Sequence, residues 1–253
     1  MTYCVGLMLD AGMVLLSDTR TNAGLDNIAT YRKMFTFEEQ GERVVAIMTA
    51  GSLSVTQTTL ARLQEAIDDN EADHTTSIMQ ANTMLQVAEI VGRSLSDVTA
   101  EVSAKMERMS QKASASMIVA GQRAGGTMRM FLVYPEGNFI EATPDTPFLQ
   151  IGEHKYGKPI LDRVVRPETS LIDAQKAALL SMDSTLRSNL SVGMPLDMTI
   201  IEKDALKVSS QTRIEAEDPA FARMSRDWSE ALRAAFTRIE TYAAPEPKGQ
   251  ENT

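Results

Sequence analysis

A threonine stands directly behind the first methionine, in the opening stretch "MTYCVGLMLD". Threonine is small enough for Met1 to be removed during synthesis, which would leave a free α-amine and a hydroxyl on Thr2. That amine can accept the hydroxyl proton, so the residue would carry both a nucleophile and its base and would need no histidine. Since a Met-Thr start can also arise by chance, this hypothesis depends on what other residues the chain supplies.

Two charged residues could tune such an amine. A free α-amine has a pKa of about 7.7 to 8.0, and a nearby ammonium lowers it through like-charge repulsion. Lys33 begins the third predicted strand and is a candidate for this charge. A buried lysine needs an anionic partner, which Asp18 at the end of the second predicted strand could supply. Taken singly, Lys33 fits a surface or edge-strand lysine better, and Asp18 fits a turn residue better.

The composition argues against several other kinds of chemistry. The net charge of −9 repels a phosphate backbone, and no basic stripe with interleaved aromatics is present, so no nucleic acid is expected. His74 and His154 lie in dissimilar contexts without metal-ligand spacing, and we expect both at the surface and no cofactor. Cys4, inside an apolar strand, fits the core better than a reactive thiol. One cysteine, no secretion signal and no long apolar run predict a cytoplasmic protein outside the membrane.

Short apolar runs predict two hairpins in the first fifty residues. Tyr3 to Leu9 and Met13 to Thr19 read as strands joined by the turn "DAG". The segments "KMFTFE" and "ERVVAIMTAG" form the second predicted hairpin, which turns near Gly41. The polar stretch between the hairpins, "RTNAGLDNIATY", is predicted as a loop.

The rest of the chain alternates between helical and strand patterns. Apolar residues at helical spacing begin at Leu53, and a second helix is predicted from about Ser77 to Met109. Later helices are predicted at about 154–164, 171–190 with a Ser170 cap, and 219 to about 242. The predicted later strands are "SASMIVAGQ", "TMRMFLVYP", "NFIEAT", "DMTIIEK" and "SSQTRIEAE".

This order of strands, two helices, strands, two helices and strands predicts an α+β fold. Two antiparallel sheets would stack face to face, with helix pairs on both outer faces, as a four-layer αββα sandwich. The length of 253 residues and the 43% apolar content favour one large domain. We therefore predict a single domain over 1–242 and a disordered polar tail over 243–253.

Four motifs resemble those of proteasome β-type peptidases, the threonine branch of the N-terminal nucleophile hydrolases. The segments "TYCVGL", "SDTRTNAG", "YRKMF" and "MTAGS" look like that family's nucleophile, aspartate strand, lysine and glycine turn. The order of elements agrees over most of the chain. "SDTRTNAGLDNI", "IGEHKYGKPILDR" and the long C-terminal helix with its tail resemble the bacterial Anbu branch, the ancestral β-subunit homologue, more than the classical proteasome.

The resemblance implies a role for each matching residue of the catalytic group. Thr2 would be the nucleophile, Lys33 would tune its amine and Asp18 would orient Lys33. Gly51, in "TAGS", would offer its backbone N–H to the oxyanion of the tetrahedral intermediate.

It also implies a set of substrate-binding residues. Thr21 and Asn22 would present main-chain groups to an extended substrate, which adds as a strand. Tyr31, Thr49 and Leu53 would line the first specificity pocket.

The chain departs from the family pattern in three places. Thr2 and Lys33 are one residue closer in sequence than usual, so the loop between them must differ. Glu153 of "IGEHK" stands near the serine that supports the terminal amine in the family. Ser188 and Ser191 of "RSNLSVG" stand where the family has an aspartate and a serine, although Ser188 also suits a helix-end cap. The surroundings of the nucleophile are therefore altered, which leaves the efficiency of any peptidase activity open.

Three functions follow from these residues. The first is a self-assembling threonine peptidase that hydrolyses peptides or partly unfolded chains, activated by methionine removal alone because no propeptide precedes Thr2. The second is an amidase acting on a small γ-linked or otherwise modified amide, and the third is a silent scaffold subunit. The resemblance implies a homo-oligomer, as stacked rings or as an open or spiral assembly, and no sequence signal identifies an ATPase partner.

Overall fold

The computed structural model describes residues 1–22, 28–106 and 113–242. The chain forms two units, Met1–Asp218 and a second that begins at Pro219. The strands of the described ranges are β1 Tyr3–Leu9, β2 Gly12–Asp18, β3 Arg20–Asn22, β4 Ile28–Thr30, β5 Met34–Glu39, β6 Arg43–Gly51, β7 Ala115–Arg123, β8 Arg129–Val133, β9 Phe139–Glu141, β10 Phe148–Gly152, β11 Leu196–Glu202 and β12 Ser210–Ile214. The helices are α1 Leu53–Asp68, α2 Met84–Met106, α3 Lys158–Val164, α4 Leu171–Ser188 and α5 Pro219–Arg238.

The first five-stranded sheet has the order β10-β1-β2-β11-β12, and every neighbouring pair is antiparallel. The register places Cys4 of β1 opposite Ser17 of β2 and opposite Ile151 of β10. Asp18, the last residue of β2, lies opposite Leu196 of β11. The start of β1 and the ends of β2 and β10 therefore lie at the same end of this sheet.

The second five-stranded sheet has the order β5-β6-β7-β8-β9, again antiparallel throughout. Lys33 immediately precedes β5 and Gly51 ends β6. Because antiparallel partners run in opposite directions, the start of one strand meets the end of the other. The amide of Thr49 accordingly donates to the carbonyl oxygen of Lys33 at 2.9 Å.

Buried side chains connect the two sheets to each other. One apolar cluster contains Cys4 and Leu15 from the first sheet together with Met48 and Ile118 from the second. Burial of apolar side chains is the main favourable term in folding, and here it fixes the two sheets relative to each other.

The other face of the second sheet packs against helices. A second apolar cluster joins Ile47 and Val119 of this sheet to Leu60 of α1 and Val91 of α2. The apolar positions of both helices recur at helical spacing, as the sequence predicts, because each helix buries only one face.

Two parts of the sheet structure differ from the prediction. The polar stretch expected to be a loop contains the short antiparallel pair β3 and β4, in which Arg20 lies opposite Thr30. Strand β10 was not predicted, since its five residues lie close to proline-containing turns and give only a short strand signal. It exists because β1 offers a pairing edge, with Tyr3 opposite Gly152.

Helix boundaries also differ from the sequence pattern. Helix α2 begins at Met84 rather than near Ser77, because Thr83 caps it by accepting a 3.1 Å hydrogen bond from the amide of Gln86. Helix α4 is capped as predicted, since Ser170 accepts from the amide of Asp173 at 3.1 Å.

The observed bounds of α3 and α5, the helices before and after α4, can also be compared with the predicted ones. Helix α3 begins at Lys158, with a proline in its first turn, and α5 ends at Arg238. The predicted end of α2 near Met109 and the predicted tail over 243–253 lie outside the described residues.

Candidate active site

Asp18, which ends β2 of the first sheet, and Lys33, which precedes β5 of the second, form a buried ion pair. The ammonium Nζ of Lys33 lies 2.8 Å from Oδ1 of Asp18, and the two residues are 5% and 0% exposed. The amide of Tyr3 also donates to Oδ1 at 3.0 Å, and the amide of Gly193 donates to Oδ2 at 3.2 Å. One cation and two amides therefore replace the water that the carboxylate loses on burial.

Opposing effects act on the ionisation of Asp18. Burial raises the pKa of the carboxyl above its ordinary value of 3.8, because removal from water penalises the charged form. The Lys33 cation acts in the opposite direction, as do the amides of Tyr3 and Gly193. The pair is consequently sensitive to the loss of either partner.

The Lys33 ammonium has two further acceptors near the chain terminus. It donates to the carbonyl oxygen of Arg20 at 2.6 Å and to that of Met1 at 3.4 Å. An ammonium has three hydrogens, so these acceptors and Asp18 together satisfy it. The cation thus lies beside the Met1–Thr2 peptide, where the sequence hypothesis requires it.

The backbone on both sides of Thr2 is held by hydrogen bonds. The amide of Tyr3 binds Asp18, and the carbonyl oxygen of Thr2 accepts from the amide of Glu153 at 2.7 Å. Gly152 has φ +82°, and a Cβ at this position would strike the carbonyl of Thr2, so only glycine fits. Met1 is exposed. As long as it is attached, the nitrogen of Thr2 belongs to a peptide bond.

Gly51 ends β6 in a conformation that side chains rarely adopt. Its φ is +112°, and a Cβ there would lie 2.8 Å from the Cα of Ala115. The turn from β6 into α1 therefore requires glycine, and it places the Gly51 backbone beside Thr2 in one hollow.

This hollow has a volume of about 320 Å³. It is lined by Met1, Thr2, Thr21, Arg32, Lys33, Thr49, Ala50, Gly51, Ser52, Leu53 and Thr56. Three of the predicted substrate-binding residues are thus at the hollow, namely Thr21, Thr49 and Leu53. We call it the Thr2 hollow below.

The other two predicted substrate-binding residues are Tyr31 and Asn22. Tyr31 is half-exposed and its amide donates to the carbonyl of Thr19 at 2.9 Å, while its neighbour Arg32 lines the hollow instead. Asn22 is in β3, paired with Ile28, and its side chain lies outside the described part of the structure.

The three predicted supporting residues also occupy distinct places. Glu153 contributes its amide to the carbonyl of Thr2. Ser188 is exposed as the last residue of α4, and the amide of Ser191 donates to the side chain of Asn189 at 2.9 Å in the turn that follows. The contact to the ion pair from this turn comes from Gly193, which the sequence reading did not select although it lies in the same "SVG" motif.

A buried hydroxyl network adjoins Thr2, and the sequence analysis did not identify it. The Tyr3 hydroxyl lies 2.6 Å from Oγ of Ser181 in α4 and accepts from Nε2 of Gln150 in β10, also at 2.6 Å. Burial raises the pKa of Tyr3 to about 12, so its hydroxyl keeps its proton at neutral pH. The residue after Thr2 is therefore fixed to two other elements of the fold.

The other candidates for chemistry lie away from this arrangement. Cys4 is buried, and burial raises the pKa of its thiol, which keeps it protonated. His74 and His154 are exposed. Over residues 1–22, 28–106 and 113–242, no cluster of three or more His, Cys, Asp or Glu could hold a metal ion, and no helix is long and apolar enough to cross a membrane.

Comparisons with known proteins identify the family of this chain. The model of the proteasome subunit family matches residues 2–201. No curated protein matches. Among solved structures, an Anbu Gly-1 mutant from Hyphomicrobium sp. strain MC1 is 46% identical, with a TM-score of 0.89, and the match covers 96% of this chain and 100% of that one.

Two further solved structures are similarly close. Anbu, the ancestral beta-subunit, from Yersinia bercovieri is 40% identical over 96% of this chain and 100% of that one, with a TM-score of 0.88. An Anbu complex from Pseudomonas aeruginosa, described as a helical assembly, is 42% identical over 99% and 100%, also with a TM-score of 0.88. The chain belongs to the proteasome subunit family and, within it, to the Anbu branch.

Proposed function

We propose that this protein is a self-assembling threonine peptidase whose nucleophile is Thr2 after removal of Met1. The observation that carries the proposal is the shared position of Thr2, Lys33 and Gly51 at one hollow, with Lys33 held by the buried carboxylate of Asp18. A nucleophile, a charge that tunes its base and an oxyanion donor are the parts that acyl transfer needs.

Hydrolysis of the Met1–Thr2 bond would free the α-amine that serves as the base. This amine takes the proton from Oγ1 of Thr2, and Oγ1 attacks the carbonyl carbon of the substrate. The oxyanion so formed accepts a hydrogen bond from the N–H of Gly51. The ammonium then gives its proton to the leaving amine, and water, activated by the same amine, hydrolyses the ester on Thr2.

The ion pair prepares the base for this cycle. The Lys33 cation lowers the pKa of the new α-amine by like-charge repulsion, so that more of it is neutral at working pH. Asp18 holds Lys33 in place, and the amide of Glu153 fixes the Thr2 carbonyl. Supporting roles for the side chains of Glu153, Ser188 and Ser191 stay predictions.

The substrate would enter as an extended strand beside β3. Thr21 and Asn22 would offer main-chain groups to it, while Thr49 and Leu53 border its side-chain pocket. In this assignment Arg32 takes the lining position that the sequence reading gave to Tyr31.

The proposed architecture and assembly also rest on membership of the proteasome subunit family. We infer a four-layer αββα sandwich, supported by the apolar cluster between the sheets and by the helices α1 and α2 on the second sheet. One domain over 1–242, a cytoplasmic location and an open or ring-shaped homo-oligomer complete the proposal. The helical assembly of the Pseudomonas aeruginosa relative supports self-association.

A scaffold subunit is the second candidate, and the altered surroundings of Thr2 favour it, since Ser188 is exposed and the amide of Ser191 donates to Asn189. As long as the Met1–Thr2 bond is intact, the nitrogen of Thr2 is an amide and cannot serve as a base. The two candidates therefore differ in whether Met1 is removed and in whether the freed Thr2 reacts.

The deciding experiment is the intact mass of the protein expressed in cells, alone and after treatment with a threonine-directed epoxyketone. We expect the loss of one methionine and a single adduct that the Thr2→Ala variant does not form. A retained Met1, or a free Thr2 that never reacts, would overturn the peptidase proposal and favour the scaffold.

A further inference from the structure

Arg32 is a cation at the Thr2 hollow that has no acidic partner among the described residues. Its side chain is exposed and lines the hollow together with Thr2 and Gly51. Its guanidinium makes no hydrogen bond or ion pair with any residue in the described ranges, whereas the neighbouring Lys33 has three acceptors. The five N–H donors of Arg32 are therefore available to a bound molecule.

The charge of the hollow contrasts with that of the whole protein. The chain has 34 acidic and 25 basic residues and a net charge of −9. None of the described residues that line the hollow is acidic, and the charge of Lys33 is balanced by Asp18. Apart from the chain-terminal amine, the lining has one positive charge that no described residue balances, that of Arg32, which would attract an anionic group.

Three hydroxyl groups of the lining, those of Thr49, Ser52 and Thr56, are hydrogen-bonded within the protein. Oγ1 of Thr49 donates to the carbonyl of Lys33 at 3.5 Å, and Oγ1 of Thr56 donates to the carbonyl of Leu53 at 3.1 Å. Oγ of Ser52 pairs with Oγ of Ser54 at 3.0 Å. Among these polar side chains, Arg32 is the donor best placed to recognise a substrate.

Reaction geometry determines which part of a substrate would meet Arg32. The reacting carbonyl must lie between Oγ1 of Thr2 and the N–H of Gly51. The side chain of the residue that supplies this carbonyl is attached one carbon away, so it enters the same hollow. A guanidinium binds a carboxylate through two parallel hydrogen bonds, which makes it selective for that group.

We propose that Arg32 is a specificity-determining residue that selects substrates with Asp or Glu on the acyl side of the cleaved bond. The inference rests on the proposed function, because it takes Thr2 as the nucleophile. Arg32 also borders a neighbouring hollow of about 360 Å³ lined by Phe35, Phe37 and Leu60. A guanidinium that turned to that side would leave the Thr2 hollow without a preference for anions.

The kinetic test compares peptides that differ only in the residue before the cleaved bond. Fluorogenic peptides with Glu, Gln or Lys there are assayed for kcat/KM, after epoxyketone labelling has established that Thr2 is reactive. We expect Glu to exceed Gln by about tenfold, since a hydrogen bond to a charged group contributes on the order of that factor or more. The Arg32→Gln variant should bring the ratio to about one, and Arg32→Glu should favour Lys.

The matched control is Arg163→Gln, which removes an exposed arginine in α3 that does not line the hollow. It should leave the Glu to Gln ratio unchanged. Equal kcat/KM values for Glu and Gln in the unaltered protein, or a ratio that survives Arg32→Gln, would overturn the proposal.

A binding measurement tests Arg32 without relying on catalysis. Fluorescence anisotropy of Thr2→Ala protein is measured with labelled peptides that end in Glu or Gln, each as free acid and as C-terminal amide. Tighter binding of both Glu peptides, lost in Thr2→Ala/Arg32→Gln, supports side-chain recognition. Equal affinities, or a preference for free acids alone, would overturn it. Failure of epoxyketone labelling would overturn the peptidase proposal. The comparison of binding affinities would still show whether Arg32 recognises a Glu side chain.

Discussion

Oδ1 of Asp18 accepts hydrogen bonds from both Nζ of Lys33, at 2.8 Å, and the amide of Tyr3, at 3.0 Å. One carboxylate oxygen thereby links the Lys33 cation to the residue that follows Thr2. The position of Thr2 and the position of Lys33 are thus set by the same buried group. The first two predictions concern this group.

Replacing Asp18 by Asn should be strongly destabilising. The Lys33 cation would stay buried without its anionic partner, which typically costs about 3–5 kcal/mol in the free energy of unfolding. Urea unfolding measures this change, and kcat/KM should fall with it because Lys33 is no longer held. The control Asp162→Asn breaks the exposed pair with Lys158 and should cost less than about 1 kcal/mol. Equal effects of the two substitutions would contradict a buried charge pair.

The carboxyl group of Asp18 should titrate above pH 3.8, because burial raises its pKa. Since the folded state then binds the proton at higher pH than the unfolded chain, this group lowers stability as pH rises from 3.8 through the pKa of the folded state. Carboxyl ¹³C shifts, assigned with Asp18→Asn, measure the midpoint directly. Lys33→Met should move it further upward, because the cation that favours the carboxylate is gone. A midpoint below 3.8, or a downward move in Lys33→Met, would contradict this account.

Gly51→Ala should abolish most activity. The added Cβ meets the backbone of Ala115 and the φ of +112° is strained for alanine, so the end of β6 must move. Loss of an oxyanion donor costs about 10²–10³ in rate, which kcat measures. Gly41→Ala is the control, because Gly41 has φ +79° in a hairpin turn but open space around its Cβ position. Comparable loss of kcat in both variants would indicate general strain and not a role of Gly51 in catalysis.

Tyr3→Phe should loosen the support of Thr2. Removing the hydroxyl leaves Ser181 and Gln150 without this partner in a buried site, at a cost of about 1–3 kcal/mol in the free energy of unfolding. Epoxyketone labelling of processed protein should slow as well, and the Tyr156→Phe control, at a half-exposed tyrosine, should change neither quantity. Unchanged stability and labelling in Tyr3→Phe would show that the network does not position the nucleophile.

The sequence by itself identifies what is encoded locally. Thr2 is a candidate nucleophile because its amine and hydroxyl lie on one residue, and Ser170 is recognisable as a cap because it lies next to the helix it begins. Lys33 and Gly51 are recognisable from motifs that also mark strand ends. The helical and strand patterns predict most elements, since each period reflects which face of a single element is buried.

The tertiary structure decides what depends on pairing between distant parts of the chain. Strand β10 forms only against β1, and that pairing is what brings Gly152 and the amide of Glu153 to Thr2. Gly193 reaches Asp18 from 175 residues away, and its short motif gives no sign of that contact. Likewise, Arg32 rather than Tyr31 lines the hollow, and no local sequence pattern encodes which of the two successive residues does so.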